Sequence, residues 1–236
     1  MLTLEAIRQA AFAVGLDDVG VAPATRLEDD AAFMEQWMVD CGLKTQPDQD
    51  KLWYLTLNRE KRYDPRVLVP GTQTVLVGVL TFAHSGRDYH RTMKSKLYAL
   101  EAQLKEIAGP DIVSSDYQHI FCDSAPFLER RWAQQAGLGF IGKNHTFIHP
   151  TLGSLIHLGE LCLTIPLSSI LNPQSSLPPY EGGPERVSCG SCRRCIEACP
   201  RGVLGKDTWD VHQCIAYETN ECLICQNSCP YNEKSQ

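Results

Sequence analysis

Eight cysteines are concentrated in the last part of the sequence. The chain has 236 residues and 11 cysteines. Two runs hold eight of them, Cys189-x2-Cys192-x2-Cys195-x3-Cys199-Pro200 and Cys214-x7-Cys222-x2-Cys225-x3-Cys229-Pro230. The N-terminus has no basic segment ahead of an apolar stretch, which predicts a cytoplasmic protein without a secretory signal. Because the cytosol is reducing, closely spaced thiols there favour metal binding over disulfides.

The spacing of these cysteines predicts two [4Fe–4S] clusters. Two-residue gaps let three thiolates surround one cluster, and the three-residue gap followed by proline directs the fourth cysteine to the other cluster. The predicted ligands are Cys189, Cys192, Cys195 and Cys229 for the first cluster and Cys199, Cys214, Cys222 and Cys225 for the second. Paired structural zinc sites are the alternative, but they usually show separated Cys-x2-Cys pairs. The other three cysteines are expected to be small buried hydrophobic residues.

Composition and patterning predict a folded α+β protein. Hydrophobic residues make up 43% of the chain and charged residues 21%, which excludes wholesale disorder. The net charge of −6 argues against a protein that coats nucleic acid, and no stretch is apolar enough to span a membrane. Hydrophobic periodicity predicts helices near 4–14, 27–41, 97–107 and 126–136, and strands at 19–21, 74–82, 117–122, 145–148 and 155–165.

These patterns divide the chain into three parts. Residues 1–167 form a mixed α/β domain, residues 168–187 a linker rich in Pro, Gly and Ser, and residues 188–236 a small ferredoxin-like module with two clusters. A module of this size conducts electrons over a short distance. Its attachment to a larger domain implies that the electrons are used in that domain.

Two motifs in the larger domain have more than one interpretation. Gly137-Leu-Gly139-Phe-Ile-Gly142 has the spacing of a dinucleotide-binding loop, but it follows a helix and leads into a strand, so Gly137 is predicted to end the helix. Asp123-Ser-Ala-Pro126 lies where a strand gives way to a helix. Asp123 or Ser124 could cap that helix, with Pro126 in its first turn, or Asp123 could point into a pocket and transfer a proton.

A family resemblance rests on an ordered series of motifs. The series is Glu60-Lys-Arg-Tyr-Asp-Pro65, Leu68-Val-Pro-Gly71, Gly86-Arg-Asp-Tyr-His90, Asp123-Ser-Ala-Pro126, Ala136-Gly-Leu-Gly-Phe-Ile-Gly-Lys-Asn144, Cys189-Gly-Ser-Cys-Arg-Arg-Cys195 and Cys214-Ile-Ala-Tyr217. It resembles epoxyqueuosine reductase, a cobalamin-dependent iron–sulfur enzyme of tRNA modification, over nearly the whole chain. The resemblance implies reduction of the epoxide of epoxyqueuosine in tRNA to queuosine.

The resemblance also implies roles for particular residues and partners. Asp123 would donate a proton and contact cobalamin, which the N-terminal domain would hold against the first cluster. Further corrinoid contacts would come from Arg62, Lys143, Asn144 and Phe147. No histidine would ligate cobalt, because the Asp210-x-His212 pattern is followed by Ile215 where corrinoid-ligating proteins have Gly. The expected partners are tRNA carrying epoxyqueuosine and a low-potential donor such as a ferredoxin or flavodoxin; no membrane is expected, and the protein is expected to be a monomer.

Several alternatives remain at the level of sequence. The region of Arg62 could be a solvated basic face. Four basic residues could contact tRNA phosphates or merely coat an exposed helix, namely Arg87, Arg91, Lys94 and Lys96. Only seven residues separate Cys214 from Cys222, and a helical-repeat extension found in some family members is absent, so the substrate is less firmly implied than the cofactors. The competing functions are a cobalamin reductase of a small molecule, similar to reductive dehalogenases, and a non-catalytic iron–sulfur electron carrier.

Overall fold

The computed structural model describes residues 2–170, 188–205 and 209–233. Beyond the short turn Leu167–Ser169 and Ile170, the predicted linker lies outside the described residues. The strands are β1 (Asp18–Pro23), β2 (Thr74–Thr81), β3 (Ile120–Phe121), β4 (Phe140–Ile141), β5 (Phe147–Ile148) and β6 (Ile156–Leu163). The helices are α1 (Leu4–Ala13), α2 (Glu28–Asp40), α3 (Arg59–Tyr63), α4 (Pro65–Leu68), α5 (Phe82–Ser85), α6 (Tyr89–Ala108), α7 (Glu129–Gln135), α8 (Arg194–Ala198), α9 (Ile215–Thr219), α10 (Ile224–Asn227) and α11 (Pro230–Glu233).

A four-stranded antiparallel sheet forms the centre of the larger domain. Its strand order is β1-β2-β6-β3, and β4 pairs with β5 in a separate hairpin. Strand β2 is buried from Thr74 to Leu80 because helices or loops cover both faces of the sheet. Burial on both sides explains why this strand is a continuous apolar run rather than an alternating one.

Each face of the sheet has its own hydrophobic core. Helices α1 and α6 cover one face, where Ile7, Leu97 and Leu100 pack against the strands. Helix α7 covers the other face, where Trp132 packs with Val77 and with residues of the hairpin. Helices on both sides of an antiparallel sheet confirm the predicted α+β class.

Local sequence signals explain where the longer helices begin and end. Thr3 caps α1 and Asp88 caps α6 through side-chain oxygens that accept backbone N–H groups. The predicted stops at Gly15, Gly42 and Gly109 are confirmed, since each glycine has a positive φ angle.

The structure shortens two of the predicted elements around Asp123. The strand predicted at 117–122 is reduced to β3, and the helix predicted from 126 begins at Glu129. Asp123 has a φ of 49°, and the N–H of Phe127 bonds back to the carbonyl of Ala125 at 2.8 Å. These local turns keep residues 123–128 out of regular structure. They form an irregular loop that presents Asp123.

The cysteine-rich module packs against the larger domain through buried polar contacts. Asn232 of α11 accepts the N–H of Ser154 and donates to its hydroxyl at 2.9 Å, and Gln226 donates to the carbonyl of Ser154 at 2.9 Å. Among the described residues, no helix has both the length and the apolarity needed to cross a membrane.

Candidate redox site and its acidic neighbour

Four cysteines from the two runs surround one cavity of about 270 Å³. They are Cys189, Cys192, Cys195 and Cys229. Asn144 and Ile148 of the larger domain complete part of the wall. The fold therefore brings the last cysteine of the second run to the first three of the first run. These are the four residues that the spacing predicts for the first cluster, and their role as ligands remains a prediction.

Three of the remaining cysteines of the module lie around a second apolar group. Cys199, Cys214 and Cys225 pack there against Val203 and Leu204. Burial raises the pKa of Cys225, and the neighbouring Cys222 raises it further. At Cys199 burial also acts to raise the pKa, but the backbone N–H groups of residues 201–204 outweigh it and lower the pKa. Cys195 of the first set touches the same apolar group, so the two sets adjoin.

The loop between β4 and β5 forms the contact between the larger domain and the first cavity. The backbone N–H of Lys143 points at Cys189 Sγ at 3.4 Å. The Lys143 ammonium donates to the carbonyls of Gly190 and Cys192 at 2.7 and 2.9 Å. Lys143 therefore holds the cysteine loop against the hairpin. Its predicted corrinoid contact stays a prediction.

Two other predicted corrinoid contacts have buried donors without partners. Asn144 Nδ2 and Arg62 Nε are buried and form no hydrogen bond within the described parts of the chain. Arg62 does donate through Nη2 to the carbonyl of Tyr54 at 3.2 Å. Burial, at 6% exposure, excludes the interpretation of Arg62 as part of a solvated basic face. Each unpaired buried donor costs about 1–3 kcal/mol, so these groups are suited to an additional acceptor.

The glycine-rich motif serves the packing of the hairpin. Gly137 has a φ of 75° directly after α7, which confirms the predicted helix stop. A Cβ at Gly139 would lie 2.2 Å from the carbonyl oxygen of Ile148 and 2.9 Å from the ring of Phe147. Phe147 is itself 3% exposed and packs in the core beneath α7. The motif follows α7, contains β4 and is followed by β5, so it lacks the strand-to-helix setting of a dinucleotide loop.

Asp123 lies just beyond β3 with its side chain about half exposed, at 51%. Its carboxylate accepts the hydroxyl of Tyr89 at 2.7 Å, and His90 Nε2 lies 3.9 Å away. Its backbone N–H donates to Glu129 Oε1 at 2.6 Å. Helix capping by Asp123 is therefore wrong: the Asp123 carboxylate faces α6 instead of α7, and Leu128 is the residue before α7.

An aromatic stack supports the carboxylate of Asp123 from the side. The Tyr89 ring stacks on His157 at 3.8 Å and on His90 at 3.9 Å, and His157 stacks on Phe82 at 4.4 Å. Burial, followed by the hydrogen bond to Asp123, raises the pKa of Tyr89. The phenol therefore stays protonated at neutral pH and donates to the carboxylate.

Three groups at or behind this site were missed from the sequence. Tyr89 falls within a motif that contributed only to the resemblance, and Glu129 carried no local signal. Glu160 interrupts the otherwise apolar strand β6, which was the available signal for it, since acidic residues are rarely buried without a partner.

A second group of contacts attaches the region of Cys214 to the larger domain. Asp50 is 3% exposed and accepts the hydroxyl of Tyr217 at 3.0 Å, and His212 Nε2 lies 2.9 Å from its other oxygen. The Trp209 ring lies between His145 of the hairpin loop, at 4.4 Å, and Trp37 of α2, at 5.8 Å. Asp50 thus holds His212 in place, and the rejection of a cobalt-ligating histidine motif stays a prediction.

The described residues contain no group of three His, Cys, Asp or Glu side chains close enough to hold a single metal ion. The cysteines instead stand around a cavity, which suits a multi-atom inorganic group better than one tetrahedral zinc ion. The fold and this site define an oxidoreductase in which a cysteine-rich module is docked on an α+β domain.

Sequence comparison with known proteins identifies the family. No family model matches the chain. The epoxyqueuosine reductase of Cyclobacterium marinum is 31% identical over 268 aligned residues, which cover 98% of this chain and 79% of that protein. The chain belongs to the epoxyqueuosine reductase family.

Solved structures show the same fold. The structure of epoxyqueuosine reductase from Streptococcus thermophilus matches with a TM-score of 0.75 at 24% identity, over 96% of this chain and 65% of that one. A crystal structure of epoxyqueuosine reductase with an epoxyqueuosine-modified tRNA-Tyr stem loop matches with a TM-score of 0.74 at 22% identity, over 98% of this chain and 66% of that one. The chain thus spans slightly less than two thirds of these solved proteins.

Proposed function

We propose that this chain reduces the epoxide of epoxyqueuosine in tRNA to the alkene of queuosine. The observation that carries this proposal is the shared wall of the cysteine cavity. Asn144 from the larger domain and four cysteines from the module face one space. Electrons from the module would therefore enter the larger domain at the hairpin loop.

The cysteine sets fit two [4Fe–4S] clusters. Cys229 supplies the fourth side of the cavity formed by the first run, as the spacing of this cluster type requires. The N–H of Lys143 directed at Cys189 would donate a hydrogen bond to an iron-bound sulfur at that position. The proximity of Cys195 to the second set would keep electron transfer between the clusters short.

Asn144 of the hairpin loop and Arg62 of α3 both fit cobalamin. A corrin ring carries amide side chains, and the free buried donors of Asn144 and Arg62 would satisfy their carbonyl oxygens. Phe147 would anchor the hairpin in the core, and Lys143 would keep the first cluster next to the hairpin loop. When bound, cobalamin would supply the low-valent cobalt centre at which electrons reach the substrate.

Asp123 is the residue proposed to protonate the epoxide oxygen. Its carboxyl group is accessible, and Tyr89 fixes its orientation. Protonation of the oxygen makes it a better leaving group as a C–O bond breaks. A positioned acid of this kind typically contributes about 10²–10⁴-fold to the rate.

A basic surface next to Asp123 supports tRNA as the substrate. Arg87 and Arg91 are exposed at the start of α6, the helix whose Tyr89 contacts Asp123. Lys96 is partly engaged by the carbonyl of Val14 at 3.0 Å. Arginines near the acid would bind the phosphates that flank the modified base.

The test is turnover by anaerobically purified protein supplied with cobalamin, a chemical reductant and a tRNA stem loop that carries epoxyqueuosine. Mass spectrometry of the nucleosides is expected to show loss of one oxygen atom. An unmodified stem loop is the control. Bound corrinoid and clusters without any turnover would contradict the proposed substrate, and a protein that binds no corrinoid would be an electron carrier instead.

A further inference from the structure

Two further carboxyl groups lie behind Asp123, and the proposed proton donation uses neither of them. Glu129 begins α7, and its Oε1 accepts the backbone N–H of Asp123 at 2.6 Å. Glu160 lies within β6 opposite Phe121 and Val77, and none of its surface is exposed. Within the part of the chain that the structure describes, neither carboxyl oxygen of Glu160 has a hydrogen-bond partner.

The positions of Glu160 in β6 and of Glu129 in α7 direct both side chains toward the same core. Leu158 and Cys162 flank Glu160 at two residues on either side and pack in the core beneath α7, so Glu160 points to that same core. Trp132 and Ala133 pack in this core from α7, three and four residues after Glu129. Glu129 therefore shares the inward face of α7. The three carboxyl groups run from the accessible Asp123 through Glu129 to the buried Glu160.

The surroundings favour the neutral acid at both inner positions. Burial, reinforced by the negative charge of Asp123, raises the pKa of Glu129 to about 8. Burial also raises the pKa of Glu160 well above its usual range, and Glu129 and Asp123 add to the effect. Five titratable or charged groups interact electrostatically with Glu129, namely Asp123, Arg130, Cys122, Glu160 and Tyr89. Only Arg130 among them is cationic, and it is exposed, so no buried cation in this set compensates two inner carboxylates.

We propose that Glu129, with Glu160 behind it, is a proton store that reloads Asp123 during each turnover. This inference rests on the proposed function, because that reaction consumes two protons. Removing the epoxide oxygen breaks two C–O bonds, forms one C=C bond and releases water, at the expense of two electrons and two protons. A low-potential donor such as a ferredoxin or flavodoxin would supply the two electrons.

A single carboxyl group can donate only one proton at a time, and the reaction needs two. After Asp123 protonates the oxygen, Glu129 passes its proton to Asp123, which then delivers the second proton as the oxygen leaves as water. Glu129 acts through Asp123 and does not touch the substrate. Glu160 returns a proton to Glu129, and solvent reloads the set after product release.

The first test uses infrared spectroscopy and is independent of turnover. At pH 7 the wild type is expected to show the carbonyl band of protonated carboxylic acids, and Glu129→Gln and Glu160→Gln are each expected to remove part of it. The amide introduced by Glu129→Gln keeps an oxygen that can accept the N–H of Asp123. Glu160→Met provides a second variant of similar shape if Glu160→Gln does not fold.

The matched control is Glu101→Gln, which removes a buried carboxylate that is paired with Lys105 and His119. Its lowered pKa reflects those two partners, which together outweigh burial. The control should leave the carboxylic acid band intact. A wild type without the band, or a band that survives all variants of Glu129 and Glu160, would overturn the proton store.

The second test follows the pH dependence of turnover. In the wild type kcat should fall as the pH rises past about 8, because Glu129 then loses its proton. Glu129→Gln should lower kcat by about 10–100-fold, and kcat of this variant should no longer fall as the pH rises past about 8. Small buffer acids should restore part of its activity. A kcat and pH profile equal to those of the wild type would contradict the proposal. Intact infrared bands without any wild-type turnover would instead overturn the proposed function alone.

Discussion

At the scale of single residues, the backbone conformation of Asp123 determines where its carboxylate points. A φ of 49° is a left-handed conformation that aspartate adopts more readily than most residues. This conformation ends β3 and directs the carboxylate toward Tyr89 instead of toward α7. The carboxyl is thereby oriented and still reachable by a substrate.

Replacing Asp123 with Asn should preserve both clusters and the bound cobalamin but reduce kcat by about 10²–10⁴-fold, because an amide cannot donate an acidic proton. The measurement is single-turnover conversion of the modified stem loop, with iron and cobalt contents determined in parallel. Asp116→Asn, in the exposed loop ahead of β3, is the control. Turnover by Asp123→Asn at the wild-type rate would contradict the proton-donor role.

At the scale of elements, the β4–β5 hairpin and the loop around Asp50 hold the cysteine module in place. The hairpin contributes Lys143 and Asn144 to the first cavity, and Asp50 binds the segment that carries Cys214. Neither element contains a cysteine, so each acts by positioning the ligands that are proposed for the clusters.

Asp50→Asn should lower the free energy of unfolding by about 2–3 kcal/mol, since hydrogen bonds to a buried charged acceptor are lost or weakened. Burial acts to raise the pKa of Asp50, but the N–H of Leu52 and the contacts with His212 and Tyr217 lower it to about 2. This contribution to stability is therefore full above about pH 4 and is lost as the pH falls toward 2. Denaturant unfolding at several pH values measures it. Asp48→Asn, exposed in the same loop, should change little.

Cys192→Ala should remove about half of the iron–sulfur absorbance, because the first cluster loses a ligand while the second keeps its own set. Cys162→Ala is the matched control: it removes a buried thiol from the sheet and should leave the spectrum unchanged. Full absorbance in Cys192→Ala would be evidence against the proposed ligand sets.

At the scale of the whole molecule, the module is docked on the α+β domain through contacts that are far apart in sequence. Ser154 meets Asn232, Lys143 meets Cys192 and Trp37 meets Trp209. In the proposed reaction the two parts would therefore work as one redox unit. This arrangement is what a reductase requires and a free electron carrier does not.

Anaerobically purified protein should contain about eight iron atoms and one cobalt atom per chain, after supply of iron, sulfide and cobalamin. The measurement is metal analysis together with the visible spectrum of the bound corrinoid. About four iron atoms, or zinc in place of iron, would refute the two-cluster assignment.

The sequence by itself determined the α+β class and the main helix stops, and it supplied the hypothesis that assigns the eight cysteines to two clusters. These depend on local spacing, periodicity and glycine conformation, and such signals act over a few residues. The shortened elements around Asp123 were not predictable, because a side-chain contact from α6 and a bond from Glu129 decide that loop.

Only the tertiary structure decided which distant side chains meet. It brought Glu160 of β6 and Glu129 of α7 to one core and placed Lys143 on the cysteine loop. It also left a buried donor of Arg62 and one of Asn144 without a partner among the described residues. Burial and long-range packing set these relations. No local pattern in the chain encodes how deeply a charged group is buried or which partner it will lack.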